Sequence, residues 1–294
     1  PNEALQISDC WINYKGELEA YDFALNKLFQ FDTTFTLKNI VKIPERYIMH
    51  SIYRIPKTEN YIGYAGFGKR NKPKEASPYQ IAFLNKKLAI TKTTSLYDKK
   101  YQGIEWPVLR DNFFQYNDTL RFFKYMDNYV YTVINSSLQK RYKVEYKSHS
   151  LPDNFVEETM DENYSLLKEP SKNRKDLESK RALYNDYAFF DGSLWLEGDK
   201  YLVFGSTERN KYRFYSFIDK QSSQEIFSAK SLHETKRYKL QLFPFGYFDN
   251  ASNSYVGAAF GDQIKDLLYK DSKFHNELTF NSDSFYIMTV KFKK

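Results

Sequence analysis

Short aromatic and β-branched runs recur along the chain, separated by polar clusters rich in Asn, Asp, Gly and Lys. Each run has the length and residue types of a strand, and each break carries turn chemistry. The first four runs, residues 10–14, 18–23, 28–31 and 35–43, occupy about forty residues, the content of one four-stranded propeller blade. The content repeats. Residues 47–55, 61–64, 79–84 and 88–94 predict a second set, and 106–116, 119–125, 129–134 and 142–146 a third. Residues 187–190, 193–204, 212–218 and 225–229 predict a fourth, and 238–248, 254–259 and 285–292 an incomplete fifth. Asn117-Asp118, Asp127-Asn128 and Asp191-Gly192 are hairpin signals at the joints.

Two stretches break this rhythm. Residues 153–181 are charged, with a helix-like patch at 175–183, and predict an insertion that bulges between the third and fourth sets. In 261–269, Ile264, Leu267 and Leu268 fall at helical spacing and predict a short amphipathic helix capping the last set. Neither stretch is rich in Gly, Ser or Pro, so neither reads as a linker between independent domains. The expected organisation is a single all-β propeller domain over 1–294. Its approximate blades are 1–46, 47–102, 103–152, 184–236 and 237–294, with an insertion at 153–183 containing a short helix.

Composition supports this reading: aromatic residues make up 18% of the 294-residue chain, led by 26 Tyr and 25 Phe. No stretch approaches the length of apolar residues that a membrane helix needs. The net charge is +7, but Lys is spread along the chain without an arginine-rich stripe. A lysine-coated face that blunts strand edges explains the excess, and nucleic acid is disfavoured as a partner. Cys10 is the single cysteine, which excludes an intrachain disulfide and a cysteine-based zinc site. Its neighbours Trp11 and Ile12 predict a small buried residue rather than a reactive thiol.

Catalytic signals are missing. The four histidines, His50, His149, His233 and His275, form no H-E-x-x-H pair, and no G-x-S-x-G elbow or calcium loop is present. The glycine-rich stretch from Gly63 to Arg70 has the wrong order for a phosphate loop and reads as a basic hairpin loop. Asp111, Asp186 and Asp249 lie near the starts of inner strands, where paired carboxylates would serve a glycosidase, although turn hydrogen bonding also favours Asp there. Propeller geometry, with innermost strands lining a channel, selects His50, Arg110, Asp186 and Tyr247 as channel candidates for ligand binding. No catalytic residue, metal ligand or cofactor is assigned. Trp11, Trp106 and Trp195 are expected to fill the space between blades.

Several motifs add a resemblance. Asp118-Thr119-Leu120, Val130-Tyr131, residues 138–144 and Leu151-Pro152 follow the order of a blade in the six-bladed β-propeller lipoproteins of Gram-negative gut bacteria. Asp22, the Asn26-Lys27-Leu28 run and Phe31-Asp32 resemble the strand pair of that family. Residues 285–292 resemble its closing strand, and Pro1-Asn2-Glu3-Ala4 is similar to a degenerate form of its opening segment. The resemblance implies six blades, with the first missing or incomplete in this chain, and a lipid-modified cysteine upstream that is not Cys10. It also implies a periplasmic or outer-membrane location, with membrane contact only through that upstream anchor. The blade pattern, this resemblance and the lack of a recognisable catalytic set together lead to the expectation of non-enzymatic binding of a protein, small-molecule or glycan ligand. The alternative is a propeller hydrolase, lactonase-like or glycoside hydrolase-like, with acidic or His residues in the channel.

Overall fold

A computed structural model describes residues 7–44, 49–65, 79–101, 104, 112–124, 126–147, 149–168, 174–209, 212–230, 246–249, 254–260 and 285–291. Its strands pair with their neighbours in sequence to form antiparallel sheets. The first contains β1 (Ile7–Ile12), β2 (Leu18–Asp22), β3 (Lys27–Phe31) and β4 (Leu37–Lys42). The second contains β5 (Ser51–Arg54), β6 (Tyr61–Tyr64), β7 (Ile81–Leu84) and β8 (Ile90–Thr94), and the third β9 (Phe113–Tyr116), β10 (Thr119–Phe123), β11 (Tyr129–Ile134) and β12 (Ser137–Lys143). A fourth sheet joins β13 (Ala188–Glu197), β14 (Tyr201–Glu208), β15 (Tyr212–Asp219) and β16 (Gln224–Lys230). A fifth shows three strands among the described residues, β17 (Gly246–Asp249), β18 (Ser254–Phe260) and β19 (Phe285–Lys291). Contacts divide the chain into two compact units, 1–192 and 193–294.

In the first unit the first strands of successive sheets meet, β1 against β5 and β5 against β9, which makes them the inner strands. The sheets stack face to face through alternating side chains, as the two-residue period of a strand requires. Trp11, Tyr21, Leu28 and Ile43 of the first sheet and its flanks bury against Ile52, Tyr61, Leu84 and Leu88 of the second. The opposite face of the second sheet, with Ile62, Tyr64, Ile81 and Phe83, buries against Phe113, Leu120, Phe122 and Tyr131 of the third. Tyr64 and Phe122 meet at 5.4 Å between ring centres and Trp11 and Tyr53 at 4.8 Å. Trp11 thus fills an inter-sheet space, as the sequence predicts for it. In the second unit Leu194, Leu196, Val203 and Tyr215 form a smaller cluster, and Trp195 is buried. Trp106 lies outside the described residues.

The strand-to-strand turns repeat one device. Asp32, Asn85 and Asp219 each use a side-chain oxygen to accept backbone N–H groups of the following turn, as Asx turns do. Phe35, Leu88 and Ser223 then take a positive φ of 61°, 60° and 57°. Leu88 is buried in the first inter-sheet cluster, whereas Phe35 is 65% exposed.

Three sequence expectations need correction. Cys10 is exposed: pleating puts Trp11 toward the second sheet and its neighbour Cys10 on the other side of β1. Asp191-Gly192 is not a hairpin. Gly192 takes a φ of 67° inside β13, and the chain reverses at Gly198, whose N–H donates to Tyr201 O at 2.8 Å. Glycine inside a strand supplies a local distortion there rather than an end. The 153–181 stretch holds two further helices, α1 (Phe155–Glu162) and α2 (Tyr164–Lys168), besides α3 (Arg174–Ala182), which falls where the helix-like patch at 175–183 is expected. Phe155, Val156, Met160 and Leu167 bury among Tyr101, Ile104, Met126, Leu151 and Phe189, so the first two helices are part of the core. The helix expected at 261–269 and most of the basic loop, 66–78, lie outside the described residues.

Candidate binding cleft

A cleft of about 380 Å³ opens between the first two sheets, at the end where the β1–β2, β3–β4, β5–β6 and β7–β8 turns gather. That volume is within the range of small-molecule sites. Its floor is built from strand residues that alternate with core positions. Glu19 shares a face of β2 with Tyr21, and Arg54 shares a face of β5 with Ile52, so both charges point into the inter-sheet space. The two form an ion pair across the sheets, with side-chain exposures of 1% for Glu19 and 10% for Arg54.

Glu19 is saturated. One carboxylate oxygen accepts from Trp11 Nε1 at 2.8 Å and Arg54 Nε at 2.8 Å. The other accepts from Arg54 Nη2, from Gln30 Nε2 at 3.1 Å and from Tyr61 Oη at 3.1 Å. Burial, followed by the adjacent carboxylate, pushes the Tyr61 hydroxyl well above its ordinary range, so it stays protonated as a donor. Burial works against the charged Arg54, but its hydrogen bond to Glu19 and the opposite charge prevail and hold the guanidinium ionised. The Arg54 guanidinium also lies over the Tyr61 ring at 4.6 Å.

The rim is charged and exposed. Lys15 from the β1–β2 turn and Lys86 from the β7–β8 turn approach the two oxygens of a single carboxylate, Glu59 Oε1 at 3.5 Å and Oε2 at 3.7 Å. Lys38 pairs with Glu17 at 3.1 Å, and Asn13 with Lys38 holds the Glu17 carboxyl below its usual range. Glu59 is carried by a rigid turn: Thr58 Oγ1 donates to Ile55 O at 2.8 Å and accepts from Asn60 N at 3.1 Å. Phe31 and Asn39 complete the wall.

A second buried charge cluster lies at the opposite end of the third sheet, at the β10–β11 turn. Lys124 pairs with Asp127 at 3.2 Å, Tyr131 Oη donates to the same Asp127 oxygen at 2.7 Å, and Lys124 Nζ sits 3.9 Å from the Tyr97 ring centre. It fixes the turn and one inter-sheet seam; it opens on no cleft comparable to the first among the described residues. Among the described residues, no His, Cys, Asp and Glu group has metal-site geometry.

Of the channel candidates selected from sequence, neither His50 nor Asp186 lines this cleft. His50 directly precedes β5, half-buried, and its N–H donates to Tyr64 O at 2.7 Å. Asp186 is exposed in the turn ahead of β13, and Tyr247 belongs to β17. Arg110 lies outside the described residues. Glu19, Arg54, Glu59 and Lys86 were not selected. Glu19 and Arg54 had a readable signal, opposite charges on the apolar faces of two neighbouring predicted strands.

Four-stranded antiparallel sheets, stacked face to face around their first strands, define a β-propeller. The chain belongs to the DUF5128 family, a 6-bladed beta-propeller family whose model matches residues 1–257. A crystal structure of a Bacteroides fragilis protein named as an inferred exported protein matches with a TM-score of 0.71 at 13% identity, covering 100% of this chain and 79% of that one. A member of the duf4221 family from Bacteroides vulgatus gives a TM-score of 0.46 at 9% identity, covering 94% of this chain and 76% of that one. Virginiamycin B lyase from Staphylococcus aureus, bound to quinupristin, gives 0.42 at 11% identity, covering 100% and 72%. No curated protein matches the chain.

Proposed function

We propose that this propeller is a non-enzymatic binding module of the bacterial cell envelope, lipid-anchored in its precursor, that holds a small-molecule or glycan ligand in the cleft between its first two blades. The observation carrying this reading is the state of Glu19. A cleft built for general acid–base chemistry keeps a carboxylate within reach of the substrate. The carboxylate at this floor spends both oxygens on Trp11, Gln30, Arg54 and Tyr61 instead, and the two rim carboxylates, Glu17 and Glu59, are each paired with lysines. The floor is a fixed platform, and the polar rim supplies recognition. The fold shared with an exported protein supports the envelope location. His50, Arg110, Asp186 and Tyr247 stay in the proposal as a separate set of ligand contacts near the starts of inner strands.

The test uses the purified chain and a panel of envelope oligosaccharides and small metabolites. Calorimetry reports binding, and mass spectrometry of the recovered ligand reports any conversion. Saturable binding with the ligand returned intact supports the reading. Conversion of a bound glycoside or lactone overturns it in favour of a hydrolase.

A further inference from the structure

We propose that the cleft recognises a carboxylate on a small polar ligand, and that this carboxylate takes the place Glu59 holds between Lys15 and Lys86. This rests on the reading of the cleft as a binding site and names its ligand class. The geometry is that of a bound acid. Two ammonium groups, carried by turns of two different sheets, address one carboxylate with one cation per oxygen, Lys15 at 3.5 Å and Lys86 at 3.7 Å. Both distances exceed a close charge-assisted hydrogen bond, so neither lysine is engaged as tightly as an ammonium can be. A mobile ligand carboxylate is free to approach both to bonding distance, which Glu59, held on its hydrogen-bonded turn, does not do.

Charge argues the same way. Glu19 neutralises Arg54 at the floor, so among the described residues the carboxylates facing the rim lysines Lys15, Lys38 and Lys86 are Glu17 and Glu59. One positive charge is left over, and displacing Glu59 from between its lysines leaves room for a second anion. The lysines are half or more exposed, with side-chain exposures of 50% for Lys15 and 67% for Lys86, so a ligand reaches them without opening the core. Phe31 and Asn39 offer an apolar ring and an amide to the rest of the ligand.

The experiment titrates the full chain by calorimetry with sodium D-glucuronate, sodium L-glutamate and D-glucose at low salt. The expected result is binding of at least one acid, with glucose at least ten-fold weaker. Glucuronate identifies a sugar acid and glutamate an amino-acid carboxylate, and either supports the proposal. E59Q removes the internal competitor and tightens the acid about five-fold, the worth of one exposed ion pair. E145Q makes the same charge change on an exposed pair with Lys143, remote in the third sheet, and shifts affinity less than two-fold. The double variant K15M/K86M weakens the acid more than ten-fold. These are surface positions, and an unchanged melting temperature verifies folding in each variant. Equal effects of E59Q and E145Q, or acid binding that survives K15M/K86M, overturn the proposal. So does the absence of acid binding in both the natural chain and E59Q. A neutral saccharide held in the cleft defeats the carboxylate assignment while leaving the binding module intact.

Discussion

Removing Arg54 leaves a carboxylate that is 1% exposed without its cation. Breaking a buried pair from one side costs about 3–5 kcal/mol, because the remaining charge keeps its desolvation penalty and loses the attraction that offset it. Arg54→Ala belongs at the upper part of that range. Glu19 is the deeper partner, and the arginine supplies two of its five donors, with Trp11, Gln30 and Tyr61 providing the rest. At about 2 °C per kcal/mol for a chain of this size, the melting temperature falls by about 6–10 °C. The double variant Glu19→Gln/Arg54→Met removes both charges, keeps the volume, and is expected within about 1 kcal/mol of the natural chain. The assay is urea unfolding followed by far-ultraviolet circular dichroism and Trp11 fluorescence, with midpoints compared at equal slope. Raising the ionic strength from 0.05 M to about 0.5 M should leave the Arg54 effect unchanged, because a desolvated pair is poorly screened. A double variant as unstable as Arg54→Ala, or an Arg54→Ala loss below about 1 kcal/mol, refutes the reasoning.

Three further outcomes follow from particular positions. Phe35 pays for a positive φ without burial, so Phe35→Asn is expected to raise stability by about 0.5–1 kcal/mol, whereas Leu88→Asn, at the same turn position but buried, lowers it by about 2–4 kcal/mol; thermal unfolding of both variants decides. Phe155→Ala should cost about 3–4 kcal/mol in urea unfolding, because Phe155 is buried and stacks edge-on against Tyr187 at 5.1 Å; a loss under 1 kcal/mol would return α1 to the status of a surface bulge. The Asp161 carboxyl, held below its ordinary value first by its hydrogen bond from Lys100, should titrate by carboxyl NMR below 3.8, and Lys100→Met should raise it. A depressed carboxyl stabilises the fold above its unfolded value and loses that contribution as pH falls through the folded value, so the difference between the natural chain and Lys100→Met should vanish once pH has fallen through that folded value.

Strand positions were legible where both faces of a strand are buried or strongly patterned. β6 and β11 fall where the runs predict them, because Tyr61–Tyr64 and Tyr129–Ile134 are nearly continuous apolar segments bounded by turns. β12 was misplaced toward Tyr142 and Tyr146. Its sequence, SLQKRYK, faces solvent along most of its length, and an outer strand with one wet face carries little apolar signal. The first helix escaped notice for a related reason. Phe155, Val156, Thr159 and Met160 are spaced for one helical face, but Glu157, Glu158, Asp161 and Glu162 between them give the stretch the charge of a loop. The fault at Asp191-Gly192 was of another kind, a turn dipeptide used inside a strand, which only the pairing partner reveals.

The cleft was less legible than the fold because its parts are individually ordinary. A lysine in each of two hairpin turns, a glutamate in a third, and an arginine and a glutamate on two strands each have a sufficient local explanation in solvation or pairing. What gives them joint meaning is the repeat itself. Each sheet is antiparallel and its neighbour is laid against it with the inner strands side by side, so the β1–β2, β5–β6 and β7–β8 turns arrive at one end. Lys15 and Lys86, separated from Glu59 in sequence by more than forty and more than twenty residues, are thereby brought to 3.5 Å and 3.7 Å from its two carboxylate oxygens. The buried Glu19–Arg54 pair works in the opposite direction. It joins β2 of the first sheet to β5 of the second, and a slip by one residue of either strand within its own sheet would turn its charge to the other face. The same pair that bridges two sheets therefore forms the floor over which the rim lysines gather, so the recognition proposed for this cleft rests on a contact that also joins two blades.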